Sequence, residues 1–145
     1  MNEFLEEYFD AEVIKDANSI SLTHIEIISY LGEIENKFAI ELPKEYKDFL
    51  KNLNGYEGSL GESYVHFLRV QDIISWTEMY GGEFFPWIIY IGSDLGNEMY
   101  VIDMRSDKLK FGLLPFIGSE EDFICMGDTF DVFIEHLYKN DFWTQ

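Results

Sequence analysis

The sequence has a single cysteine, Cys125, so no disulfide can form within the chain. That fits a reducing compartment. Long apolar runs are also missing. The longest, Phe84 to Ile91, is broken by Pro86 and falls well short of the roughly 20 residues of a membrane helix. The acidic start, Met1-Asn2-Glu3-Phe4-Leu5-Glu6-Glu7, has neither the basic region nor the apolar stretch of a secretory signal. The expectation is a cytoplasmic protein that does not engage membranes. Basic residues are scarce: 10 Lys and Arg stand against 28 Asp and Glu, for a formal net charge of -18. A chain so charged repels nucleic-acid phosphates and anionic lipids. Direct nucleic-acid binding is therefore not expected. A basic protein is the natural complement, since opposite potentials speed encounter. A surface tuned for solubility is the other reading of the same charge.

Residues that carry chemistry are few and scattered. His24, His66 and His136 have no Cys or His neighbour at metal-ligand spacing. His66 sits in an apolar strand pattern and His136 beside Glu135 on a helical one, so both read as structural or surface residues. Cys125, within Phe123-Ile124-Cys125-Met126, reads as a small buried hydrophobe. A catalytic thiol would need access and an acid-base partner. Asp94, Asn97 and Glu98 lack the spacing of a calcium loop. Gly81-Gly82 has no Gly-Lys-Ser/Thr after it, as a phosphate cradle requires. No catalytic residue, metal ligand or cofactor is expected.

What the chain does have is core-forming material. Of its 145 residues, 47% are hydrophobic and 17% aromatic. That suffices for one domain spanning residues 1–145. Asn2 to Asp10 can form a short amphipathic helix on Phe4, Leu5, Tyr8 and Phe9. Thr23 and Glu26 have capping-box spacing. Ile27, Ile28, Leu31, Ile34 and Phe38 then repeat as one helical face. Leu42-Pro43 opens a second helix with Tyr46, Phe49, Leu50 and Leu53 as its stripe, ended by Asn54-Gly55. Tyr64–Val70, Trp87–Ile91, Glu98–Asp103, Phe111–Ile117 and Phe123–Met126 read as strands. Pro115 ends the fourth early or puts it at a sheet edge. Gln71–Thr77 reads as a short helix or turn, and Ser93–Asn97 as a hairpin connection. A last helix over Asp128–Lys139, capped by Asp128 or Thr129, carries Phe130, Phe133, Ile134 and Leu137. The order of elements predicts an α+β fold, with a mostly antiparallel β-sheet flanked by helices.

Three stretches carry a family resemblance. Leu42-Pro43-Lys44-Glu45-Tyr46-Lys47-Asp48-Phe49-Leu50 with Asn54-Gly55 resembles the Leu-Pro, Tyr-x-x-Phe-Leu and Asn-Gly signature of the SUKH superfamily, which includes the Smi/Knr-like domains. Ile91–Asn97 with Tyr100 and Ile102-Asp103 resembles its central hairpin. Asp128-Thr129-Phe130 with Phe133 and Ile134 resembles its C-terminal Ser/Thr-Phe-x-x-Phe-Leu helix. The core matched is residues 23–140, which leaves 1–22 as an acidic N-terminal extension. Tyr56 stands where the family often has a second glycine, and Gly58–Gly82 matches no family pattern. The resemblance implies the SUKH fold and a non-enzymatic role. Bacterial members are typically immunity proteins that bind and neutralise a cognate toxin, often a nuclease and so basic. Eukaryotic members act as regulatory scaffolds, which is the alternative. A monomer or weak homodimer is expected.

Interface energy concentrates in a few aromatic or Arg anchors within a polar rim. Trp76 and Tyr80, with Glu78 and Glu83 among the rings, form the first candidate toxin-binding group. Completion of the core is the alternative role for those rings. Asp94 and Glu98 beside the hairpin, with the run Glu120, Glu121 and Asp122, form the second.

Overall fold

The structure, a computed structural model, describes residues 7–9 and 22–141. Helix α1, His24–Phe38, starts as the spacing predicts. The Glu26 amide donates to Thr23 Oγ1 at 3.2 Å, and the Thr23 amide donates to Glu26 Oε1 at 3.0 Å. Ile27, Leu31 and Ile34 are buried. Ile28, expected on that face, is 53% exposed. It lies about 100° around the helix from Ile27, on the flank of the stripe. Glu35 joins α1 to the next helix: its Oε2 accepts from the Leu42 amide at 2.7 Å and pairs with Lys47.

Helix α2, Lys44–Asn52, follows Pro43 at its cap, and Tyr46, Phe49, Leu50 and Leu53 are all buried. Asn54 and Gly55 then take positive φ, 48° and 105°. Asn54 has a second task. Its Oδ1 accepts from the Val70 amide at 2.7 Å, and its Nδ2 donates to Gln71 Oε1. One buried amide thus fastens the end of α2 to the loop that leads towards the third helix.

Six strands form one meander: β1 Tyr56–Leu60, β2 Ser63–Phe67, β3 Ile88–Ser93, β4 Glu98–Asp103, β5 Lys110–Pro115 and β6 Ile124–Gly127. Each strand pairs antiparallel with the next. Helix α3, Ile73–Tyr80, lies in the β2–β3 connection, and α4, Phe130–Lys139, follows β6 with Thr129 as its cap. The α+β architecture with an antiparallel sheet is therefore as predicted. Strand β1 has no counterpart in the sequence reading, because Glu57-Gly58-Ser59 has little strand propensity. The Tyr64–Val70 strand stops at Phe67, and the Gln71–Thr77 element is a helix shifted towards Tyr80. The β1–β2 turn is held against α4, where the Glu62 amide donates to the Tyr138 carbonyl at 2.9 Å. A Cβ on Gly61 would fall 2.3 Å from that carbonyl oxygen, so only glycine fits.

At the centre of the sheet both faces are covered. On one, Tyr100 and Phe111 meet Phe133 of α4 at 5.6 and 5.7 Å, and Phe67 meets Phe49 of α2 at 5.5 Å. On the other, Tyr90 meets Trp76 and Tyr80 of α3. On that face too, Phe123 lies over Gly112, which pairs with Val101 as Tyr90 does. Every residue of β3 and β4 is buried in consequence. Strand β6 is a sheet edge, and there Cys125, expected to be buried, is exposed. Met126 takes the inward position instead, and strand neighbours alternate faces.

Of the expected Asn2–Asp10 helix, residues 2–6 and 10 lie outside the described residues, as do 1 and 11–21 of the extension. Within 7–9, Phe9 is buried between Phe49 and Tyr56, and Tyr8 packs edge-on against Tyr138.

Asn54→Ala should lower stability by about 2–3 kcal/mol, because it orphans a buried amide and removes a residue suited to positive φ. Urea unfolding checks this through the midpoint, at unchanged slope.

Candidate functional site

The two candidate groups lie at different depths. Trp76 and Tyr80 are half-buried and stack with Tyr90, at 5.6 and 5.2 Å. Tyr80 also meets Phe116 at 5.3 Å. Their rings largely cover the sheet. Glu78 is exposed and turned towards α1, where it pairs with Lys37 at 2.9 Å. Glu83 is exposed beside Phe84, which is itself 86% exposed.

The acidic group is built on two loops. In the β3–β4 hairpin, Asp94 Oδ1 accepts from the amides of Gly96 and Glu98, and Ser93 Oγ accepts from the Leu95 amide. In the loop after β5, Glu120–Asp122 forms a single 3-10 turn. Asp122 Oδ2 accepts from the Ser119 amide at 2.8 Å. Glu121 is exposed, and Glu120 reaches Arg105 at 3.7 Å. Arg105 donates to both oxygens of Asp103 and stacks 3.7 Å above Trp87, so it belongs to the sheet's cover. Its guanidinium is held further towards the charged form by the Asp103 hydrogen bond and charge.

Glu98 differs from its neighbours. It opens β4, is 8% exposed, and its Oε2 is buried with no hydrogen-bond partner. Burial holds its carboxyl above the usual carboxylate range, and the charges of Asp94 and Asp122 add to the effect.

The fold brings much of this together. The Phe116 amide donates to the Asn97 carbonyl at 2.9 Å, so the two acidic loops lie side by side. The Phe116 ring touches Tyr80 and Tyr90. Tyr80, Asp94, Glu98 and Asp122 thus lie around the end of the sheet where β4 begins, with Phe116 between the aromatic and acidic groups and Trp76 stacked on Tyr80. Glu120 reaches instead to Arg105, which is bound to Asp103 at the other end of β4. Glu78 faces away towards α1. Sequence reading missed Phe116 and two exposed neighbours, Leu95 (53%) and Ile117 (97%). Leu95 precedes the turn pair Gly96-Asn97 and Ile117 follows Pro115, so each was visible as an apolar residue next to a turn.

The histidines are dispersed. His24 is exposed, and His66 is half-buried on β2 opposite Ser93. His136 Nδ1 sits 2.7 Å from Asp141 Oδ1, a bond that holds the Asp141 carboxyl below its ordinary value. Among the described residues no three His, Cys, Asp or Glu side chains are grouped to hold a metal ion. A small pocket between α1, α3 and β3 is walled largely by Phe38, Phe85, Pro86 and Ile88. No helix among the described residues is long and apolar enough to cross a membrane.

The model of the SMI1 / KNR4 family (SUKH-1) matches residues 29–139. The chain is also 28% identical over 110 residues to the uncharacterized protein YnaB of Bacillus subtilis (strain 168), which covers 74% of this chain and 72% of YnaB.

The carboxyl of Glu98 predicts a pH dependence of stability. Its folded-state pKa lies above the unfolded one, so its contribution is fully present below the unfolded pKa and is lost as pH rises through the folded value. Glu98→Gln removes the penalty. Its melting temperature should exceed that of the parent at about pH 7, and the gap should close towards about pH 4. Calorimetry across that range checks both signs.

Proposed function

The chain belongs to the SMI1 / KNR4 (SUKH-1) family, and on that premise we propose that it is an immunity protein. It acts by docking one-to-one onto a cognate toxin domain, basic and of nuclease type, in the cytoplasm of the cell it protects. Residues 1–145 serve this role as one domain, without catalytic chemistry of their own.

The observation that carries this reading is the family match together with a net charge of -18 on a folded body. A nuclease must attract phosphate and so presents a positive cleft. An acidic surface complements such a cleft, steers encounter with it and can deny it to substrate. The aromatic and acidic candidates around Phe116 support the same reading, because hydrophobic anchors within a charged rim are how protein interfaces are built.

The test is co-expression with a basic protein encoded beside this chain, where the locus holds one, followed by affinity capture. A stoichiometric complex is expected, and relief of that protein's toxicity with it. Affinity should fall by about tenfold or more as salt rises from roughly 0.05 to 0.5 M, as screening shortens the reach of the acids. Absence of a complex, or an affinity indifferent to salt, contradicts the reading.

A further inference from the structure

We propose that the end of the sheet where residues 93–98 and 115–122 meet is a socket for one lysine or arginine of a protein partner, with Leu95 and Ile117 as the apolar contacts beside it. This deepens the binder reading above and rests on it for the class of partner.

Composition comes first. The two segments contain five acids, Asp94, Glu98, Glu120, Glu121 and Asp122, and no Lys or Arg. One base, Arg105, reaches Glu120 at 3.7 Å and is already shared with Asp103 and the face of Trp87; among the described residues Asp94, Glu98, Glu121 and Asp122 form no ion pair. The local potential is therefore negative and poorly compensated.

A second observation points to a cation. Glu98 is more than nine-tenths buried, and one of its carboxylate oxygens has no donor. Buried polar atoms are nearly always satisfied, and an orphaned one calls for an explanation. Asp94 and Asp122, the charges that act on Glu98, cannot supply a donor while ionised. A positive charge seated between the two loops would oppose the mutual repulsion of all three. Backbone atoms already organise the flanking acids, since Asp94 accepts two amides of its own turn and Asp122 caps its own. Little ordering remains to be done on docking.

The third observation selects a protein over a free ion. The described residues offer no three-ligand metal group. Leu95 and Ile117, 53% and 97% exposed, stand on the two loops that the Phe116–Asn97 hydrogen bond joins. Leu95 is held at φ 61°, a region non-glycine residues seldom occupy, by a turn closed through Ser93 and Asp94. An apolar side chain displayed at such a position suits contact with a second surface. Lys and Arg fit the pair of features, because their methylene stems lie along apolar groups while the head reaches the acids.

The experiment is an NMR titration of the ¹⁵N-labelled full chain with a synthetic peptide of alternating lysine and leucine. The same peptide with every lysine acetylated is the control. Shifts should concentrate in residues 93–98 and 115–122. Glu98→Gln and Ile117→Ser should each weaken binding by about tenfold. The acetylated peptide should not bind. The melting temperature of each variant shows that it is folded. Shifts spread over the acidic surface or centred on Glu78 and Glu83, or Glu98→Gln binding like the parent, overturn the proposal. Capture of the co-encoded protein by both variants as well as by the parent would reject the socket and leave the immunity reading standing. Peptide binding at the socket with no capture would reject the immunity reading and keep the socket.

Discussion

The central strands of the sheet are buried on both faces, and the placement of everything else follows from this. Strands β3 and β4 expose no residue. Their side chains need apolar cover above and below, which α2 and α4 supply on one face and α3 with the segment after β5 on the other. The central strands therefore have no free face to offer a partner. Around them the turns, the strand ends and the loops between them stay accessible, and at β1 and β2 so do Glu57, Ser59 and Tyr64. Trp76 and Tyr80 illustrate the constraint. Both belong to residue types that dominate interfaces, yet their rings stack on Tyr90 and are half-buried in covering the sheet.

At one end of that sheet the charge of the chain becomes local structure. Glu98 sits at the first position of β4, where the alternation that buries Tyr100 and Ile102 also draws a carboxylate inwards. Asp94 and Asp122 approach from the two adjoining loops. Such an arrangement costs folding stability, because a buried carboxylate beside two others is both desolvated and repelled. A core chosen for stability alone would place an apolar residue there. The strain is understandable if the end of the sheet is shaped for a cation that arrives with a partner.

The periodic helices were legible in the sequence, because a 3.6-residue stripe and a cap fix both position and facing. Thr23 with Glu26, and Tyr46 with Phe49 and Leu50, fall where expected. Strand β1 was not legible: Glu57-Gly58-Ser59 forms a strand only because β2 pairs with it and α4 holds the turn at Gly61. Cys125 was misplaced because one residue of a four-residue edge strand carries no facing signal until Met126 is seen to point inwards. In the site, the acids could be read from their clustering near turns. The burial of Glu98 could not, since it depends on the register of β4 against β5 and on a loop twenty residues further on. The joining of the two loops through Phe116 and Asn97 is equally a tertiary fact.

If the sheet docks by its rim, binding must leave its interior unchanged. Hydrogen exchange of the chain, alone and saturated with the proposed basic partner, measures this directly. New protection should appear at residues 93–98 and 115–122, with rates in β3, β4 and α4 lowered only together, by the uniform factor that ligand-linked stabilisation imposes. Protection centred on α1 or the β1–β2 edge, or faster exchange within the central strands on binding, would contradict the account.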